Sequence, residues 1–186
     1  AGQTRRGGRE GGRSRGRHAV NESEARPEGF LRVAQALAER GHAHAPRWLP
    51  EAVRTSQQAA DALGVAVGQI AKSVIFRRQS DGAAVLVVTS GDRRVDERRV
   101  AALTGALGRA DAGFVKERTG FSIGGVAPLA HANPPLTLID RELFRFAEIW
   151  AAAGHPNGVF MLTPAELVAL TAAPVADVVV EVQAAP

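Results

Sequence analysis

The apolar pattern changes period several times between residues 28 and 182, and each change predicts an element. Phe30, Leu31, Ala34, Leu37 and Ala38 recur at helical spacing. Pro27 and Glu28 open that helix, where a missing N–H and a negative charge are both tolerated, and Gly41 ends it. An extended piece over 46–53 carries Trp48. Thr55-Ser56-Gln57-Gln58 reads as a capping box for a helix to Leu63, closed by Gly64. Two strands follow, over 70–78 and 83–89, turned by Ser80-Asp81-Gly82. Asp96 caps a helix through Leu103, and a short helix covers 112–118. Four apolar pieces come next, at 121–126, 136–139, 148–151 and 159–162. Thr163-Pro164-Ala165-Glu166 then starts a helix to Leu170, and 176–182 makes a last strand. Hairpins and short connections, without regular βαβ alternation, argue for a single α+β domain on a mixed, largely antiparallel sheet flanked by helices.

Composition narrows the chemistry. A length of 186 residues suits one domain. No run of about 18 apolar residues occurs, so no membrane span or membrane partner is expected. With no cysteine there is neither a disulfide framework nor a thiolate site, which fits a cytoplasmic location. The five histidines lack HExxH spacing, and His42 with His44 offers two ligands without a third; no metal and no cofactor is expected. The net charge is +4, and residues 1–27 carry all of it, with seven arginines against three glutamates. The remaining chain is neutral. Rich in Gly, Arg and Ser and poor in large apolar groups, residues 1–27 read as a disordered basic tail ahead of a folded domain over 28–186.

Two features carry candidate chemistry. The chain has two lysines against 21 arginines, and one of them, Lys72, lies within Ile70-Ala71-Lys72-Ser73-Val74-Ile75-Phe76. An ammonium in an apolar strand is a compact charge that burial readily tunes. The second is Thr119-Gly120-Phe121-Ser122-Ile123-Gly124-Gly125-Val126-Ala127-Pro128. Its adjacent glycines allow positive φ or close backbone approach, and freed N–H groups there can face an oxyanion or a phosphate.

Together with Thr55…Ala59-Ala60, Ile139-Asp140 and Ala153-Gly154 ahead of Leu162-Thr163-Pro164-Ala165-Glu166-Leu167, these segments resemble the YbaK family, the domain related to the editing insertion of bacterial prolyl-tRNA synthetase. The resemblance covers about residues 28–182. It implies a curved mixed sheet and an aminoacyl-tRNA deacylase acting in trans on mischarged tRNA, with tRNA(Pro) carrying Cys, Ala or another small residue as the expected substrate. It also implies a metal-free hydrolysis helped by backbone groups and the ribose hydroxyl. The expected catalytic set is Lys72, Gly124 and Gly125; Thr55, Ser73, Val126, Pro128, Asp140 and Gly154 are the expected substrate-binding neighbours. Expected partners are the tRNA acceptor end and prolyl-tRNA synthetase. The neutral body suggests a grip on the acceptor end alone.

This sequence departs from the family pattern in three places. Ala152 stands where members that remove cysteine tend to have Ser, and Val159-Phe160 lies where they tend to have an acidic residue. Ala130 precedes His131 where Gly is usual, and His131 is a candidate for polarising a water. A second reading, from a different class, is a non-catalytic module that binds RNA or aminoacyl ends through the basic tail.

Overall fold

The centre of the sheet is a hairpin of β-branched residues. β2, Ile70–Arg78, and β3, Ala84–Ser90, pair antiparallel from Ala71 opposite Ser90 to Arg77 opposite Ala84. The computed structural model describes residues 26–183; the basic tail read over 1–27 therefore lies outside the described residues, apart from Arg26 and Pro27. The other strands are β1 (Arg47–Trp48), β4 (Leu107–Arg109), β5 (Leu136–Asp140), β6 (Ile149–Ala152), β7 (Gly158–Leu162) and β8 (Val175–Ala176). They give the order β1-β7-β6-β2-β3-β5-β8, with β4 added antiparallel at the far end of β2. The pairs β2–β6, β3–β5 and β5–β8 are parallel and the remainder antiparallel, so the sheet is mixed.

Strand alternation sends side chains into two separate layers. Ala71, Leu86, Val88 and Ile139 bury against Phe30, Val33 and Leu37 of α1 (Glu28–Glu39), together with Phe121 and Phe160. Val85, Val87, Phe76 and Leu138 face the other way, against Val100 of α3 (Glu97–Thr104) and Val178. A third, smaller cluster joins Ala59 and Ala60 of α2 (Ser56–Leu63) to Ile70. Helices α4 (Ala112–Thr119) and α5 (Pro164–Thr171) complete the fold.

The caps follow the chemistry of the sequence. Asp96 and Asp111 accept first-turn N–H groups of α3 and α4, and Thr163 with Glu166 forms a complete capping box on α5. At α2 the box is shifted. Thr55 accepts the Gln58 N–H at 3.1 Å, but Gln58 reaches back to the Arg54 N–H at 2.9 Å.

Four expectations change. The buried stripe of α1 is Phe30, Val33, Ala36 and Leu37, whereas Leu31 and Ala38 face outward. That helix is turned so that Gly29 meets the Gly154 backbone and Phe30 meets the edge of Trp48 at 5.3 Å. The apolar piece 121–126 is a loop, because Gly120 and Gly124 both take positive φ. The last strand shortens to β8, since Val179 bridges Val95 and Val180 donates to the Arg94 carbonyl. Leu107–Arg109, for which the apolar pattern predicts no element, forms β4.

Candidate active site

Where β2 begins, its first residues face an open cleft of about 710 Å³ bounded by α2, β6, β7 and the 122–126 loop. The parallel pairing of Ile70 and Ala71 with Trp150 and Ala151 fixes one wall. Thr55, Lys72, Ser73, Gly124 and Val126 all line this cleft, so five of the nine residues singled out in the sequence converge there.

Lys72 and Ser73 leave the strand on opposite faces, as neighbours on a strand must. Lys72 stands opposite Thr89, and its ammonium donates to the Arg93 carbonyl at 2.7 Å. Burial pushes its pKa below the ordinary lysine value, against the attraction of Asp92 and Asp140. Ser73 stands opposite Val88 on the face of the glycine loop. Its hydroxyl is withdrawn from water and has no hydrogen-bond partner among the described residues. An orphaned hydroxyl of this kind costs roughly 1–3 kcal/mol unless a ligand satisfies it.

The loop is built on Thr119, whose Oγ1 donates to the Val115 carbonyl at 2.6 Å and accepts the Phe121 N–H at 3.0 Å. Gly124 turns the chain at φ 90°, and the Gly125 N–H closes the turn on the Ser122 carbonyl at 3.1 Å. Gly125 therefore does not offer its own N–H to a ligand. The N–H groups of Gly124, Val126 and Ala127 have no acceptor among the described residues. Gly125 is instead needed for space, because a Cβ there would lie 2.7 Å from the His155 backbone.

The remaining residues sit off the cleft lining, each with a structural task. Pro128 is buried behind the loop. Asp140 is fully buried and accepts from Thr89 Oγ1 at 2.9 Å, the Ser90 N–H at 3.2 Å and the Glu142 N–H at 2.9 Å. Its carboxylate braces the end of β3 beside Lys72. Gly154, at φ 80°, packs on the Gly29 backbone and joins α1 to the β6–β7 connection. His131 also lies off the cleft lining. Its Nε2 donates to the Ala127 carbonyl at 2.7 Å, its ring meets Phe121, and burial pushes its pKa down. It holds the loop from beneath.

Sequence reasoning missed Arg32 and Arg54. Arg32 reaches from α1 to the Ala130 carbonyl at 2.9 Å and the Thr119 carbonyl at 3.1 Å, with its guanidinium over Phe121. It clamps both ends of the glycine loop, and no local pattern announces a contact made across such a chain separation. Arg54 lines the cleft and approaches Gly124. Its only local signal is its place beside the α2 cap.

Ala130 sits at φ 63°, a conformation that costs a residue with a Cβ about 1–2 kcal/mol. Ala130→Gly should raise stability by about 0.5–1 kcal/mol, since relief of strain exceeds the added chain entropy of glycine. Denaturant unfolding checks this; a lower midpoint would show that the Ala130 methyl group packs to advantage.

Among the described residues no group of three or more His, Cys, Asp or Glu could hold a metal ion. No helix there is long and apolar enough to cross a membrane.

Comparison with known proteins places this geometry in context. The uncharacterized protein YwhH of Bacillus subtilis (strain 168) is 38% identical over 114 residues, which span 61% of this chain and 72% of that protein. A solved structure described as a candidate trans-editing enzyme for prolyl tRNA synthetase superposes with a TM-score of 0.78 at 40% identity, covering 84% of this chain and 99% of the other. The hypothetical protein APE2540 superposes with a TM-score of 0.72 at 32% identity, over 80% of this chain and 99% of its own. Residues 50–170, which contain α2, the β2–β3 hairpin, the glycine loop and most of α5, match the family model for the aminoacyl-tRNA editing domain, and the chain belongs to that family.

Proposed function

We propose that the protein is a trans-acting deacylase that hydrolyses the ester of mischarged tRNA in the cleft at the head of β2. The observation that carries this reading is the unpartnered hydroxyl of Ser73, a residue that lines the same cleft as Gly124 and Val126. A shielded hydroxyl without a partner and free N–H groups beside one cleft suit a carbonyl ester that gains negative charge as water attacks. Each preorganised donor to such an oxyanion is typically worth about 3 kcal/mol. The Gly124 and Val126 N–H groups, free at the cleft lining, take that role, and Ser73 orients the aminoacyl group or its ribose.

Lys72 contributes positive charge rather than a nucleophile. Its ammonium is already held by the Arg93 carbonyl, which leaves its remaining donors to favour the anionic transition state at the cleft. The attacking water and the vicinal ribose hydroxyl supply the rest of the chemistry. The ester C–O bond breaks, the amino acid leaves as its carboxylate, and the tRNA 3′ end recovers its hydroxyl.

The inner walls are set by Ala59, Ala71, Ala151, Ala152 and Gly158, with Ile70, Val159 and Trp150 around them. Small apolar walls favour a small uncharged side chain and penalise a charged one. Alanine and cysteine on tRNA(Pro) fit, a choice that draws on the similarity to a protein described as acting for prolyl tRNA synthetase.

The test is release of amino acid from a panel of mischarged tRNAs, those for proline included. Purified protein should release a small uncharged residue, and Lys72→Ala should lower the rate about a hundredfold. A panel that stays intact would sink this reading.

A further inference from the structure

Two arginine pairs border a second depression, on the face of the sheet opposite Ser73. In Arg93-Arg94, Arg93 is ion-paired with Asp92 and Glu142. In Arg98-Arg99, Arg99 is ion-paired with Asp96 and Glu181. The other member of each pair, Arg94 and Arg98, is exposed and has no acidic partner among the described residues. One arginine of each pair thus serves the fold, and one is left to solvent.

Both free guanidinium groups line a groove of about 580 Å³ whose apolar surface includes Val74, Val95 and Val180. Val180 is 44% exposed, a large apolar side chain presented to water. Lys72 is common to this groove and to the cleft, so the two depressions meet at the head of β2. Asp96 and Glu97 also line the groove. Asp96 is committed to the α3 N-terminus and Arg99, which leaves Glu97 as the one uncommitted acid against Lys72, Arg94 and Arg98.

We propose that this groove carries the single-stranded 3′ end of an RNA toward the cleft, Arg94 and Arg98 holding two phosphates while bases lie on the valine surface. A chain of phosphates needs spaced cations that outnumber any free carboxylate, here three against Glu97, and unpaired bases need apolar or guanidinium contact. The groove supplies both and shares Lys72 with the cleft. A double helix is less suited, because its bases are turned inward and cannot use the valine floor. The reading rests on the deacylase assignment only for which RNA end arrives; the groove chemistry stands on its own.

The test is binding of a short 5′-labelled RNA ending in CCA to the full chain, followed by fluorescence anisotropy over a range of salt. Arg94→Ala/Arg98→Ala should weaken binding about tenfold and make the salt slope shallower by about 1.4, two phosphates at 0.7 each. Arg40→Ala/Arg118→Ala, which removes two positive charges elsewhere, should bind like the unmodified protein. Equal binding by the groove variant, equal loss in both variants, preference for the duplex form, or no binding by the unmodified protein would each overturn the groove. Deacylation is read separately. With saturating mischarged tRNA the groove variant should keep kcat and raise KM, whereas failure of the unmodified enzyme to release any amino acid would remove the deacylase and leave the anisotropy result standing.

Discussion

Gly154→Ala should be the most destabilising glycine-to-alanine substitution among the described residues, at about 3 kcal/mol or more. Two costs add at this position. The backbone is at φ 80°, which penalises a Cβ by about 1–2 kcal/mol. The added methyl would also overlap the Gly29 carbonyl, and the Phe121 ring lies 3.0 Å away. Neither neighbour can yield cheaply. Gly29 is in the first turn of α1 with a Gly154 carbonyl against it in turn, and Phe121 is buried at 1% exposure. Forcing space in packed surroundings costs a further 1–3 kcal/mol, roughly. Gly64→Ala provides the control, since it has a similar φ of 68° and nothing within 4 Å of its Cβ. It should lose only about 1 kcal/mol. Urea titrations of both variants separate conformational strain from overlap, and equal midpoints would disprove the α1–Gly154 contact.

The same pair of glycines shows what the sequence could tell and what it could not. Gly154 was expected to bind substrate, because the resemblance set it among the site motifs. Its conformation and its contact with Gly29 give it a packing task off the cleft lining, and that contact joins segments far apart in the chain. Local signals worked where the physics is local. Asp96 and Thr163 cap helices with their own side chains, and the β2 boundaries follow from a run of strand-forming residues. Period alone failed at 121–126, because a buried loop and a buried strand can both be apolar. Phe121, Val126 and Ala127 enter the core without pairing, their direction set by the turns at Gly120 and Gly124. At the site, residue types were readable and their division of labour was not. Lys72, Ser73 and Gly124 meet at the cleft, yet the Arg32 clamp and the bracing by Asp140 and His131 depend on tertiary contacts.

That division of labour makes Gly125→Ala the larger of two adjacent loop substitutions. The proposed deacylation should fall about a thousandfold, and stability should fall by about 1–3 kcal/mol as the buried backbone gives way. A methyl at 125 would sit 2.7–2.8 Å from the Cα, C and N atoms of His155. His155 is the less mobile partner. Its ring stacks on Trp48 at 4.9 Å, its Nδ1 accepts the Asn157 N–H at 3.1 Å, and its carbonyl accepts the Gly158 N–H at 2.8 Å. The loop must therefore move, carrying the Gly124 and Val126 N–H groups with it. A displacement near 1 Å can cost about a hundredfold, and two donors shifting together cost more. Gly124→Ala meets no atom closer than 3.8 Å and carries only the strain of φ 90°. It should lose about tenfold, the equivalent of roughly 1–2 kcal/mol of strain. Single-turnover kinetics on one mischarged tRNA tells them apart. If Gly125→Ala hydrolyses as fast as Gly124→Ala, the backbone of this loop does not hold the oxyanion, and the charge of Lys72 must account for the stabilisation.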